Sequence, residues 1–206
     1  MIRNIAIVAI VVAIGGLGGM WFVSRGGEAD QFAQCRAGAI AGGAGAIGGP
    51  FELVDEDGNT VTDADVFTEP SIVYFGYTFC PDVCPMDTAR NAEAVDVLEE
   101  RGLSIKPVFV SIDPARDTPE VLKEWTDVMH PRMVGLTGTP AQVKAASQAY
   151  RTYYRKQDSD DPEYYLVDHS TFSYLVMPET GFVDYFKRDE SPEQMADRIQ
   201  CFVENS

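Results

Sequence analysis

The residues best suited to chemistry are Cys80-Pro81-Asp82-Val83-Cys84-Pro85. Two cysteines four positions apart can bring their sulfurs together, either as a disulfide or as two metal ligands. The segment follows a strand-like run and precedes a helix-like one. A helix N-terminus at that point supplies free N–H donors and partial positive charge, and both favour thiolates. A bridge that only stapled so short a loop would gain about 2 kcal/mol, which makes a purely structural role a poor explanation. Redox-active pairs usually have two intervening residues, whereas this pair has three. Two thiolates offer soft ligation suited to Cu(I), and one imidazole would complete a three-coordinate site; zinc prefers four ligands. At this level a redox dithiol and a metal site both stay open.

The two histidines bear on that choice. His169 sits in Val-Asp-His-Ser-Thr-Phe, a polar break between apolar runs, where loops carry functional side chains. Periodicity alone leaves it evenly balanced between ligand and ordinary polar residue. His130 ends a helix-like stretch in Val-Met-His-Pro, where a cation at the negative end of the helix dipole explains it.

The surrounding pattern alternates strands and helices. Phe51–Val54 and Thr60–Thr62 flank an Asp-Gly-Asn turn and predict a hairpin. Ser71–Tyr77 is almost wholly apolar and predicts a buried central strand. A helix is expected from Pro85 to Arg101, with Met86, Ala89, Ala92, Val95 and Leu98 along its inner side. Ile105–Ile112 is the next strand. Thr118-Pro119, Thr139-Pro140 and Ser191-Pro192 each pair a hydroxyl N-cap with proline at the first helical position, and Gln142 and Gln194 complete two capping boxes. A short strand near Met133–Leu136, an acidic loop at Asp158–Asp161 and a hairpin of Phe172–Met177 with Phe182–Phe186 fill the rest. The order βαβ…ββα predicts an α/β, thioredoxin-like mixed sheet with flanking helices over residues 51–206.

The first 50 residues read differently. Residues 1–4 form a short tail, and Ile5–Val23 holds no charged side chain. As a helix these residues would extend roughly 28 Å, close to a bilayer's hydrocarbon thickness. Arg3 and Arg25 flank the run, Trp21 and Phe22 sit at one end, and no Ala-x-Ala exit follows, so a single uncleaved transmembrane helix is expected. Residues 24–50 read as a linker, since 11 of the 13 residues from Ala37 to Gly49 are Gly or Ala. A short tail before a long domain favours N-terminus inside and domain outside.

Composition narrows function further. The 206 residues suit one ordinary domain with an appendage, and 45% hydrophobic with 23% charged residues excludes a disordered chain or a multi-span membrane protein. With 16 basic against 32 acidic residues the net charge is −16, which argues against a nucleic-acid partner.

Three separated motifs resemble the SCO/SenC family. They are Gly76-Tyr77-Thr78-Phe79-Cys80-Pro81-Asp82-Val83-Cys84-Pro85, Val110-Ser111-Ile112-Asp113-Pro114-Ala115-Arg116-Asp117-Thr118-Pro119, and Asp168-His169-Ser170-Thr171. The resemblance spans Phe51 to Val203. It implies a membrane-tethered, thioredoxin-fold copper protein of cytochrome c oxidase assembly, with Cys80, Cys84 and His169 as metal ligands. Copper is implied as Cu(I), with Cu(II) left open. The implied role is a metallochaperone, a carrier ahead of an enzyme, that serves the binuclear copper site of oxidase subunit II and is loaded by a periplasmic copper donor. The implied place is the inner membrane, with the domain in the periplasm. The alternatives are a thiol-disulfide oxidoreductase, acting through a Cys80–Cys84 redox disulfide on subunit II or more generally, and a redox or copper signalling protein.

Two further expectations concern neighbouring groups. Asp113, Arg116 and Asp117 follow a predicted buried strand, the end where open α/β sheets place their sites. With Asp82 and Asp168 they are expected to support the metal loop or a partner surface, the alternative for the first three being a salt-bridged turn. Cys35 and Cys201 are left over once the motif claims its pair, and in an oxidising compartment they are expected to form a structural disulfide. The competing reading is a buried, unpaired Cys201 with Cys35 free or bridging chains.

Overall fold

The computed structural model describes residues 31–38, 43–161 and 163–206. The expected transmembrane helix at 5–23, the tail before it and part of the linker lie outside the described residues. No helix among the described residues is long and apolar enough to cross a membrane. The chain divides into two compact units, Met1–Gln34 and Cys35–Ser206. Of the first, only the turn at 31–34 is described.

The second unit is built on a seven-stranded mixed sheet. Its strands are β1 (Glu52–Asp55), β2 (Thr60–Thr62), β3 (Ser71–Gly76), β4 (Lys106–Ser111), β5 (Val134–Thr137), β8 (Ser173–Met177) and β9 (Gly181–Phe186), in the order β2-β1-β5-β4-β3-β8-β9. The parallel pairs β3–β4 and β4–β5 lie at its centre, and the other neighbours are antiparallel. Every residue of β3 is buried, as the apolar run 71–77 predicts for a strand covered on both faces. A separate two-stranded ribbon pairs β6 (Tyr154–Lys156) with β7 (Val167–His169). This is the α/β thioredoxin-like arrangement expected from the element order.

The helices are α1 (Asp63–Val66), α2 (Val83–Glu100), α3 (Pro119–Met129), α4 (Pro140–Ala149) and α5 (Pro192–Glu204). Thr118, Thr139 and Ser191 cap α3, α4 and α5 through their hydroxyls, and Gln142 and Gln194 close the two expected capping boxes. A third box, Thr62 with Asp65, starts the one-turn α1 that the sequence reading passed over. Helix α2 packs along α5 and against β3 and β4, α3 lies on β5, and α4 on β1.

Helix α2 corrects one expectation. It begins two residues before Pro85, which takes Cys84 into its first turn. Its buried face is Cys84, Asp87, Thr88, Asn91, Val95 and Leu98, while Met86 is exposed. The inner face is therefore partly polar, because its carboxylate and amide meet polar partners on the sheet. Asp87 accepts from the Tyr74 hydroxyl at 3.0 Å, and Asn91 accepts from the Ser173 hydroxyl at 2.8 Å.

The Gly/Ala-rich stretch, expected as a bare linker, lies partly on the domain. A disulfide joins Cys35 to Cys201 on α5, with the Cα atoms 5.6 Å apart. Arg36 donates to the Val183 carbonyl at 3.0 Å. A 3-10 turn at Ala44–Ala46 contacts β9, and the Gly48 amide donates to the Ala149 carbonyl at 2.8 Å. These residues hold on through backbone bonds, the Arg36 side chain, Ile47 packed against the core and the covalent link.

Candidate metal centre

Three elements converge at one end of the parallel strands. Cys80 lies in the loop that leaves β3, Cys84 in the first turn of α2, and His169 at the end of β7. The prediction of a loop for His169 is corrected to the last residue of a strand; the ribbon is too short to leave a periodic signal. Both thiols are free and buried, Cys84 completely. The Cys84 sulfur stands 3.3 Å from His169 Nε2, and the Cys84 amide donates to the Cys80 sulfur at 3.4 Å. All three donor atoms lie within 4.8 Å of one another.

The imidazole is already turned for ligation. His169 Nδ1 sits 2.8 Å from the Ser170 carbonyl, which can only accept, so Nδ1 carries the proton and the Nε2 lone pair faces the sulfurs. The thiols are driven apart electrostatically. A hydrogen bond from the Cys84 thiol holds the Cys80 pKa well below the usual thiol range, helped by the amides of Asp82 and Cys84, against burial. That same bond, and then burial, push the Cys84 thiol well above it. Cys80 is thereby favoured as the thiolate and Cys84 as the thiol.

Gly76 forms the floor. A Cβ there would stand 2.8 Å from Tyr74 Cε1 and 3.1 Å from both Cys84 Sγ and Phe109 Cε2, so only glycine lets these groups meet over the strand end.

The sequence-selected carboxylates take different positions. Asp117 is fully buried and receives the Thr78 amide at 3.1 Å, the Thr78 hydroxyl at 2.6 Å and the Ser111 hydroxyl at 2.5 Å. It thereby ties the end of β4 to the metal loop. Asp113 pairs with Arg116 at 2.5 Å and accepts from the Tyr165 hydroxyl at 2.7 Å. The Arg116 guanidinium lies over Tyr165 at 3.6 Å and Phe79 at 4.5 Å, joining the metal loop to the segment before β7. Asp82 is exposed, and it is its amide that serves Cys80. Asp168 pairs across the ribbon with Arg155 at 3.1 Å and with Gln157 at 2.6 Å. Neighbouring strand residues face opposite ways, so it stands on the other side of the ribbon from His169.

Among the described residues a second cluster, Asp96, Glu99 and His130, could in principle hold a metal. Its tautomer opposes this. His130 Nδ1 accepts from the Arg132 amide at 3.1 Å, which leaves the proton on Nε2, directed at Asp96 3.3 Å away. Glu99 is already paired with Arg132. His130 thus ties the end of α3 to α2.

Two sulfurs and one imidazole, with no fourth His, Cys, Asp or Glu in the group, suit a soft ion content with three ligands better than zinc. Fold and site together define a thioredoxin-like domain carrying a two-thiol, one-imidazole centre for a soft metal. The comparisons are more specific. The SCO1/SenC family model matches residues 41–204, and the chain belongs to that family. Protein SenC of Rhodobacter capsulatus is 54% identical over 199 residues, covering 97% of this chain and 88% of that protein. The mitochondrial SCO1 homolog 1 of Arabidopsis thaliana is 40% identical over 158 residues, 76% of this chain and 47% of the relative. Among solved structures, copper-bound yeast Sco1 matches with a TM-score of 0.74 at 40% identity, over 78% of this chain and 90% of that one. Copper-bound ScoI of Arabidopsis thaliana matches with a TM-score of 0.73 at 39% identity, over 77% and 99%.

Tyr74 and Asp87 also shape the centre and were not singled out from the sequence, while Gly76 and Tyr77 entered only as part of the quoted motif. A usable signal was present: polar-tipped aromatics in a buried strand need hydrogen-bond partners.

Proposed function

We propose that this protein is a membrane-anchored copper metallochaperone, holding copper on Cys80, Cys84 and His169 and assisting assembly of the binuclear copper site of cytochrome c oxidase subunit II. The observation that carries this reading is the mutual reach of two sulfurs and an imidazole whose Nδ1 is engaged by a backbone carbonyl and whose Nε2 is turned toward them. The copper-bound relatives support the choice of metal. Copper here is cargo. Cys84 is wholly buried while Cys80 and His169 lie nearer the surface, so a receiving protein meets the imidazole and Cys80 before the inner sulfur. Cu(I) is the form the donor set suits best. The anchor at 5–23 would place the domain outside the inner membrane, in the periplasm, where a copper donor protein loads it.

The test is Cu(I) competition titration of the reduced protein. One copper per chain is expected, with binding lost in Cys80→Ala and Cys84→Ala and at least about tenfold weaker in His169→Ala. Unchanged affinity in the histidine variant overturns the ligand assignment.

The lowered Cys80 pKa favours a second reading, reduction of the subunit II cysteines. The Cys80 thiolate would attack a target disulfide, forming a mixed disulfide and freeing one target thiolate. Cys84 would then displace the second target thiol, giving up its proton and leaving a Cys80–Cys84 disulfide. Two electrons pass to the target. This path needs no imidazole ligand, so His169→Ala separates the two readings.

A further inference from the structure

Two tyrosines of the central strand segment bridge the elements that carry the candidate ligands. The Tyr74 and Tyr77 rings both stand edge-on to the His169 ring, with centroids 6.2 Å and 5.8 Å away and interplanar angles of 86°. Each hydroxyl engages a different ligand-bearing element. The Tyr77 hydroxyl accepts the Val167 amide at 3.2 Å, at the start of the strand that ends in His169. The Tyr74 hydroxyl donates to Asp87 at 3.0 Å, one turn along α2 from Cys84.

Asp87 is 3% exposed, yet it is a carboxylate on the inner face of a helix. Arg188 compensates it from outside, with Nε 3.1 Å from its second oxygen, and Arg90 stands 4.0 Å away. A buried carboxylate is costly unless it is paired and bonded, and this one is both. An ionised carboxylate only accepts hydrogen bonds, so it fixes the direction of the Tyr74 O–H and with it the ring. Packing alone would accept a phenyl group and an apolar residue in these positions. The polar pair adds direction.

We propose that Tyr74 and Tyr77 act as a two-armed clamp that sets the spacing of Cys84 and His169, and that Asp87, held by Arg188, is the positioning residue that locks the Tyr74 arm. The ligands belong to a helix and to a ribbon that share no strand pairing, so nothing in the sheet ladder itself fixes their separation. The clamp supplies that constraint before metal arrives. Groups behind a metal's ligands typically matter by 10- to 100-fold in affinity, which sets the size of the expected effect.

This inference rests on the copper reading above, and the experiment separates the two. Wild type, Tyr74→Phe, Asp87→Asn and the double variant are reduced and titrated with Cu(I) against a competing chelator, and the thiolate-to-copper absorption of the Cu(II) forms is recorded. Each single variant is expected to bind at least about tenfold more weakly with a shifted absorption, and the double variant no more weakly than the worse single, because Asp87 acts through Tyr74. Affinities within twofold of wild type and an unmoved absorption, even with a lowered Tm, overturn the clamp and leave an ordinary stabilising bond. Additive losses overturn the coupling of Asp87 to Tyr74. A wild type that takes no copper overturns the chaperone reading itself. Should Asp87→Asn not fold, Tyr74→Phe carries the test, since it keeps the ring and its packing.

Discussion

Thr78 is bound twice by one carboxylate: Asp117, wholly buried at the start of the segment capping α3, accepts its amide at 3.1 Å and its hydroxyl at 2.6 Å. Thr78 lies two residues before Cys80, so the loop that carries the outer sulfur is fastened to the neighbouring strand at a single point. Of the two readings of this region, a loop organiser and a salt-bridged turn, Asp117 fits the first. Asp113 with Arg116 combines both, a short ion pair that also stacks on the rings beside the metal loop.

Asp117→Ala should therefore destabilise the protein by about 3 kcal/mol, since the Thr78 amide, Thr78 hydroxyl and Ser111 hydroxyl lose a buried acceptor together. Urea unfolding at pH 7 measures this. Burial raises the Asp117 pKa despite those donors. For a raised acid the folded state keeps its proton longer than the unfolded chain. The contribution of this group is thus most favourable below the ordinary carboxyl pKa and declines as pH climbs through the raised value. A stability profile of wild type minus Asp117→Ala that rises with pH across that window would contradict the sign.

The two thiols should behave oppositely toward alkylation. Cys80, held down chiefly by the Cys84 hydrogen bond, should react with iodoacetamide at pH 6, where an ordinary thiol is nearly inert, and Cys84 should not. A lowered acid stabilises the fold above the unfolded thiol pKa, and that contribution disappears as pH falls through the folded value. Mass spectrometry of peptides from the reduced protein reads the ratio. Equal labelling of both cysteines at pH 6 would refute the assignment.

Gly76→Ala should cost about 2 kcal/mol, the range for inserting a methyl group into a close-packed interior. The added carbon meets Tyr74, Cys84 and Phe109 at once. Cu(I) affinity should drop with stability, because the Cys84 sulfur is among the atoms that must give way. If affinity holds while stability falls, the strand end gives way toward Phe109 instead.

Removing the Cys35–Cys201 bridge should lower stability by up to about 5 kcal/mol on chain-entropy scaling for so long a loop. Paired Cys35→Ala and Cys201→Ala variants, unfolded in denaturant, measure the loss without leaving one thiol exposed. Copper affinity is expected to stay at the wild-type level, since both sulfurs of the metal centre are untouched.

How far the sequence was readable follows from the range of each interaction. The caps at Thr118, Thr139 and Ser191 were legible because cap and proline are adjacent, and at the last two a glutamine completes the box within four residues. The Cys80–Cys84 spacing was legible for the same reason. The inner face of α2 was not: Asp87 is buried by Tyr74, 13 residues away, and by Arg188, 101 residues away, and neither leaves a local trace. His169 required the resemblance to be chosen, because the ribbon that presents it has two strands of three residues, too short for alternation to register. Gly76 stands in the quoted motif, but the need for glycine there comes from the close approach of three side chains, which no local pattern shows.

The Cys35–Cys201 bond also has a mechanical consequence. Tension arriving along the chain from residue 34 passes through two sulfur atoms to the last helix and leaves the span between them, a sequence separation of 166, unloaded. The first strand of the sheet, β1, sits inside that span and cannot be peeled away from the N-terminal side while the bond is intact. A pull on the chain from the N-terminal side therefore lands on α5, and the metal loop feels no direct pull through the backbone.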